Sequence, residues 1–129
     1  MNPKKKRTKK FRKNAKAKEN IKTKRARVWR KAKKMGFKSP EEYILYDELR
    51  KNKIDVKHNV RLRGTEIDLY VPPRLIIEVG YRDDMLLKKW DEFEKAGFSF
   101  LYFSNIEINE PSILKRCVEK IIESSARAE

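Results

Sequence analysis

Two acidic residues in the middle of the chain have the spacing of residues on neighbouring strands. Asp68 lies in an alternating run in which Ile67, Leu69 and Val71 take one face and Asp68 takes the other. Glu78 follows three consecutive apolar residues, and an acid in such a place is costly to bury unless something pairs with it. Side by side, the two carboxylates would repel one another unless a divalent cation or a base lay between them. Oxygen ligands of this kind suit Mg²⁺ or Mn²⁺.

A purely structural interpretation of these two acids is also open. Each could be an exposed strand residue, or could form a salt bridge with an arginine such as Arg63 or Arg74. Residue type and spacing alone do not choose between this interpretation and a metal site.

The hydrophobic pattern predicts the elements that would hold the two acids. A helix is predicted from Ser39, with Pro40 in its first position and Glu42 completing a capping box, to about Asn52. The pattern then predicts strands over residues 54–62, 67–71 and 75–79, a helix over 84–96, a strand over 98–104 and a helix over 113–122. This α-β-β-β-α-β-α order predicts an α/β fold with a central mixed sheet flanked by helices.

The start of the chain differs sharply in charge from the rest. Of the 34 Lys and Arg residues, 19 lie in residues 1–38, where Glu19 is the only acid; this segment carries +18 and the remainder −3. Residues 1–18 are predicted to be disordered or extended, because their like charges repel and they contain few apolar residues. Apolar residues from Ile21 to Met35 share one face of a predicted basic helix that ends near Gly36. We therefore expect a basic arm over residues 1–38 and a domain over residues 39–129.

A segment with this charge density attracts polyanions with little regard for sequence, so we expect the arm to bind nucleic acid. A solubilising or localisation tail is the alternative. The residues expected to contact phosphate are basic side chains of the predicted helix and one arginine after the third strand, namely Lys24, Arg25, Arg27, Arg30, Lys31, Lys34 and Arg82.

Several classes of protein are excluded by composition. The single cysteine, Cys117, cannot form an intrachain disulfide, and with the single histidine, His58, it cannot complete a four-ligand zinc site. His58 is expected to pack in the core. No apolar run is long enough to cross a bilayer, so we expect no membrane partner. The expected location is the cytoplasm, in association with the nucleoid, or the nucleus if the protein works in a eukaryotic host.

A further ordered set of motifs runs through residues 39–108. It consists of Glu42 at the helix start, then Leu45-Tyr46-Asp47-Glu48-Leu49-Arg50, Ile67-Asp68-Leu69, Ile76-Ile77-Glu78-Val79 and Asn105-Ile106-Glu107-Ile108. The set resembles the PD-(D/E)XK superfamily of restriction-endonuclease-like proteins. Within that superfamily it is most similar to the small endonuclease domains of the very-short-patch-repair-like branch.

The resemblance implies a Mg²⁺-dependent (or Mn²⁺-dependent) DNA endonuclease in which Asp68 and Glu78 bind the metal and Glu42 contributes from the first helix. One motif residue is absent, because the superfamily's Lys two positions after the Glu is replaced here by Gly80. Lys88 or Lys89 on the following predicted helix, or Arg82, could supply the missing cation.

Two points stay open at this stage. The chain could be a catalytically inactive nuclease-fold protein that binds DNA or RNA. Two copies could also act together as a homodimer, through the last helix or through the edge of the strand near Phe98.

Overall fold

The computed structural model describes residues 20–128, which form helices on both faces of a sheet. The elements are α1 (Ile21–Lys34), α2 (Pro40–Lys51), β1 (Lys57–Leu62), β2 (Thr65–Val71), β3 (Leu75–Gly80), α3 (Asp84–Lys95), β4 (Ser99–Ser104), α4 (Asn105–Asn109) and α5 (Pro111–Ala128). The predicted order of elements is confirmed, with α4 as an addition. The predicted disorder over residues 1–18 lies outside the described residues.

The four strands form one mixed sheet in the order β1-β2-β3-β4. β1 pairs with β2 and β2 with β3 in antiparallel fashion, whereas β3 and β4 run parallel. The parallel pair is the one that α3 connects, as expected when a crossover is needed to bring the chain back in the same direction. The predicted α/β class and the mixed sheet are therefore confirmed.

Each face of the sheet has its own apolar cluster. On one face, Leu49 of α2 and Ile121 of α5 pack with Ile77 of β3. On the other face, Phe93 of α3 packs with Phe100 of β4 and with Ile76. Successive side chains of a strand point to opposite faces of the sheet. The side chain of Glu78, two residues after Ile76, therefore lies on the same face as Ile76, which α3 covers.

The basic helix α1 packs against the domain through its apolar stripe. Val28 and Ala32 are buried, and Trp29 packs against the cluster that includes α2 and α5. Met35, which the periodicity placed on the same stripe, is exposed because the helix ends at Lys34. The next buried residue is Phe37, whose ring stacks on that of His58 with centroids 4.0 Å apart.

Two local features account for the differences from the predicted boundaries. The N–H of Ile54 donates to the carbonyl of Leu49, so Ile54 belongs to the turn that ends α2, and β1 begins only at Lys57. After β4, a reciprocal capping box between Ser104 and Glu107 starts the short helix α4. No helix within residues 20–128 is long and apolar enough to span a membrane.

Candidate active site

Asp68 and Glu78 lie side by side where the pairing of β2 with β3 ends. Backbone pairing between these strands covers Leu69 to Val71 of β2 and stops before Asp68. Beyond that point the strands are joined by hydrogen bonds from backbone to side chain. The N–H of Asp68 donates to Glu78 Oε2 at 3.2 Å, and the N–H of Val79 donates to Asp68 Oδ2 at 3.1 Å. Each carboxylate therefore accepts a hydrogen bond from the backbone of the neighbouring strand.

Glu42 brings a third carboxylate to the same place from the first turn of α2. Ser39 caps the helix by accepting the Glu42 N–H at 3.2 Å, as predicted from the sequence. The Glu42 side chain departs from the expected capping box, since its Oε2 accepts the N–H of Lys38 at 3.1 Å rather than that of Ser39. The carboxyl groups of Glu42 and Asp68 are in contact, so Asp68 lies between two buried glutamates.

Burial and mutual repulsion disfavour the charged forms of both glutamates. The pKa of Glu78 is raised to about 8, chiefly by burial and next by contact with Asp68, while the contact with Lys89 acts in the opposite direction. Burial likewise raises the pKa of Glu42 to about 7, with the Asp68 charge as the next cause. Both glutamates therefore retain a proton to higher pH than an exposed glutamate would.

Lys89 of α3 reaches this cluster from the face of the sheet opposite to α2. Its ammonium contacts Glu78 Oε1 and donates to the carbonyl oxygen of Glu66 at 2.7 Å. Among the described ion pairs, neither Arg63 nor Arg74 pairs with Asp68 or Glu78, so the arginine pairing considered from the sequence is not found.

The backbone gives a reason for the missing motif lysine. Gly80 has a φ of +136°, a conformation that residues with a side chain rarely adopt. A Cβ added at this position would meet no atom within 4 Å, so the backbone angle and not a lack of space disfavours a lysine. The cation nearest to Glu78 accordingly comes from α3.

A groove of about 540 Å³ opens from the carboxylates to solvent. Asp68 and Glu78 lie in its wall together with Lys88 and Lys89 of α3. Lys88 is exposed, whereas the Lys89 side chain retains 22% of its exposure. Two lysines of α3 therefore line the groove together with the two carboxylates.

The donor chemistry of the cluster fits a divalent cation, although its oxygens are engaged elsewhere in this structure. Within residues 20–128 no group of three or more His, Cys, Asp or Glu side chains forms a preassembled metal site. In this structure Glu42 Oε2, Asp68 Oδ2 and both Glu78 oxygens accept hydrogen bonds from protein groups. Carboxylate oxygens suit Mg²⁺ or Mn²⁺, and a cation would stabilise the charged forms that burial and the Asp68 contact disfavour.

The residues expected to bind nucleic acid are distributed over several surfaces. Arg25 makes two hydrogen bonds to Glu41, at 2.9 and 3.0 Å, and the fully buried Glu41 also accepts from Asn109 at 3.2 Å. Lys24 lines a separate groove between α2 and α5. The other expected residues are exposed, on α1 or in the loop after β3, namely Arg27, Arg30, Lys31, Lys34 and Arg82.

Two residues near the cluster were missed by the sequence interpretation. Lys38 forms a salt bridge with Glu66, with Nζ and Oε1 3.0 Å apart. Glu66 lies two residues before Asp68 on β2, and that shared face was the available signal for it. Lys38 had no such signal, because it was one of many lysines in the basic segment.

Comparison with known proteins shows a structural similarity of the fold. No protein-family model matches the sequence, and no curated protein is significantly similar to it. The structure is similar to the catalytic domain of the homing endonuclease I-Bth0305I, with a TM-score of 0.57 and 18% sequence identity over 66% of this chain and 95% of that domain. At this identity the likeness establishes the fold: this chain has the α/β architecture of that endonuclease catalytic domain.

Proposed function

We propose that this protein is a metal-dependent endonuclease that hydrolyses phosphodiester bonds in DNA and belongs with the very-short-patch-repair-like branch of the PD-(D/E)XK nucleases. The observation that carries the proposal is the contact of three carboxylates from α2, β2 and β3 beside a lysine-lined groove. The similarity of the fold to an endonuclease catalytic domain supports it.

In this proposal Asp68 and Glu78 hold Mg²⁺ or Mn²⁺, and Glu42 contributes the third carboxylate. A bound divalent ion would polarise the phosphate and lower the pKa of an attacking water. The backbone N–H groups of Asp68 and Val79 fix the two strand carboxylates in position, and the N–H of Lys38 does the same for Glu42. These contacts keep the acids in place before any substrate arrives.

The lysines of α3 would supply the positive charge that the superfamily obtains from its motif lysine. Lys89 is already in contact with Glu78, so it neutralises part of the charge of the cluster. Lys88 is exposed on the groove wall and is placed to contact the substrate phosphate, where a cation stabilises developing negative charge.

The basic arm would supply affinity for DNA that does not depend on sequence. If arm residues neutralised six phosphates, a plot of log affinity against log salt concentration would have a slope of about −5. Arg25 is a poor candidate for this role because Glu41 occupies its guanidinium. Three other basic residues exposed on α1 are the better candidates, namely Arg30, Lys31 and Lys34.

A catalytically inactive nuclease-fold protein that binds DNA or RNA is the second candidate. The observation that favours it is Gly80, which replaces the motif lysine, together with the engagement of Glu78 by Lys89. Such a protein would bind nucleic acid and leave it uncut with every divalent metal.

Cleavage of supercoiled plasmid in Mg²⁺ or Mn²⁺ tests the proposal. We expect the full chain to nick or cut the plasmid and Asp68→Ala and Glu78→Ala each to abolish this. Asp91→Ala is the matched control, since Asp91 is an exposed acid of α3 paired only locally with Lys95 among the described ion pairs. Activity that survives both changes in the cluster would exclude this site. The ratio of nicked to linear product would also report whether two copies act together.

A further inference from the structure

Lys38 holds an exposed ammonium at the edge of the carboxylate cluster. The residue directly precedes the cap of α2, and its N–H donates to Glu42. Its Nζ lies 3.0 Å from Glu66 Oε1, and the side chains of Lys38 and Glu66 keep 51% and 49% of their exposure. The backbone of this residue therefore serves the cluster while its ammonium faces solvent beside it.

The ammonium stays charged in this position. Partial burial acts to lower the pKa of Lys38, but the contact with Glu66 and the nearby charges of Asp68 and Glu42 outweigh it and raise the pKa. Lys38 therefore remains a full positive charge at any pH where the protein would work.

Lys38 differs from Lys89 in how easily it can exchange its partner. Lys89 is mostly buried and has two acceptors, Glu78 Oε1 and the Glu66 carbonyl. Among residues 20–128, Lys38 has one side-chain acceptor, Glu66, in a pair open to water, and such exposed pairs contribute little to stability. A phosphate group could replace Glu66 as the partner of Lys38 without loss of buried contacts.

We propose that Lys38 binds a backbone phosphate of the nucleic acid beside the carboxylate cluster, and that Glu66 holds its ammonium there until the nucleic acid binds. The inference rests on the proposed function for the identity of the polyanion. It adds a phosphate contact from the segment between α1 and α2, so that cations from two separate elements, this segment and α3, lie beside the cluster.

A different role for Lys38 would be to neutralise Glu66 and nothing more. Lys38→Met would then weaken DNA binding only because Glu66 becomes an unpaired negative charge facing the DNA. That effect would disappear once Glu66 itself is made neutral. A double-mutant cycle between Lys38→Met and Glu66→Gln separates the two roles.

The experiment measures binding of the full chain to a short fluorescein-labelled DNA duplex in EDTA over a series of salt concentrations. We expect Lys38→Met to make the log-log salt slope about 0.9 less steep and to weaken binding about eightfold at 0.1 M salt, the amount expected for one phosphate contact. We expect a loss of similar size when Lys38→Met is made in the Glu66→Gln background. A loss that vanishes in that background, or wild-type binding by Lys38→Met, would overturn the proposal.

The controls separate charge, folding and catalysis. Lys38→Arg should retain the salt slope, because it keeps the charge. Lys51→Met removes an exposed lysine from the far end of α2, about 13 Å along the helix from Glu42, and should leave the slope unchanged. Thermal melts verify that each variant is folded. Because binding in EDTA requires no cleavage, failure of the plasmid assay would leave this result interpretable.

Discussion

Replacing Arg25 should destabilise the fold strongly, even though Arg25 looks like one of many surface cations in the sequence. Its guanidinium makes two hydrogen bonds to Glu41, whose side chain has no exposure to solvent. Arg25→Ala would leave the Glu41 carboxylate with Asn109 as its remaining side-chain partner among the described residues. The variant therefore tests whether α1 is held to the domain by a buried charge as well as by its apolar stripe.

The expected loss follows from the number of bonds and from the exposure of each partner. Removing one partner of a fully buried ion pair costs about 3 to 5 kcal/mol, and each hydrogen bond to a charged group contributes about 1.5 to 3 kcal/mol. The Arg25 side chain keeps 50% of its exposure, so water would reach Glu41 once Arg25 is removed and would recover part of this loss. We therefore expect the free energy of unfolding to fall by about 2 to 4 kcal/mol.

Urea unfolding of the full chain, followed by circular dichroism, measures this quantity. Arg30→Ala, an exposed arginine on the same helix, is the control and should change stability by less than about 0.5 kcal/mol. Adding Glu41→Gln to the Arg25→Ala protein should restore part of the loss, because no buried charge then remains. A loss no larger than that of Arg30→Ala would refute the assignment of Arg25 to the fold.

Three other predictions follow from the carboxylate cluster. The pKa of Glu78 is raised to about 8 from 4.5, so between these pH values the folded protein keeps a proton that the unfolded chain loses. Thermal melts in EDTA should therefore show stability falling as pH rises through this range, and Glu78→Gln should flatten that decline. Lys89→Met should raise affinity for Mn²⁺ by about tenfold in calorimetry, because the ammonium competes for Glu78, while plasmid cleavage falls; unchanged affinity would contradict this competition. Gly80→Lys should lower the free energy of unfolding by about 1 to 3 kcal/mol in urea titrations without increasing cleavage, because its backbone angle of +136° strains a side chain; a gain in activity would show that the motif position is usable.

Local patterns in the sequence predicted those parts of the fold that depend on neighbours along the chain. Ser39 and Pro40 start α2 where the pattern places them, because capping involves atoms only three residues apart. The strand that contains Asp68 was likewise predicted from its alternation of polar and apolar residues. The predicted common face of Ile67, Leu69 and Val71 is wrong, because Ile67 packs in the cluster under α3 whereas Leu69 and Val71 pack in the other cluster. The short helix α4 was missed because five residues are too few for a periodic pattern.

Contacts between distant elements could not be predicted in the same way. Nothing in the run of basic residues distinguishes Arg25 from its neighbours, and its partner Glu41 lies 16 positions away. Lys89 was one of several lysines considered, but its contact with Glu78 depends on how α3 packs over the sheet. Lys38 was grouped with the arm because charge was counted along the chain, whereas its neighbours in space belong to β2 and α2.

Two adjacent buried acids at the start of α2 differ in their partners, and the difference separates a structural carboxylate from one that is incompletely neutralised. Glu41 and Glu42 are 0% and 3% exposed, and both lie in the first turn, where the helix dipole favours acids. Glu41 has a guanidinium and an amide as partners, which is the arrangement that stabilises a buried carboxylate. Glu42 has a backbone N–H and the like-charged Asp68, and its pKa is raised to about 7. If Glu42 served only the fold, its burial beside Asp68 would lower stability without any benefit, since a neutral residue at this position would avoid the repulsion. A cation bound between Glu42, Asp68 and Glu78, as proposed above, would offset that cost, and for that reason the cluster, rather than the more basic surface of α1, is the place to test for chemistry.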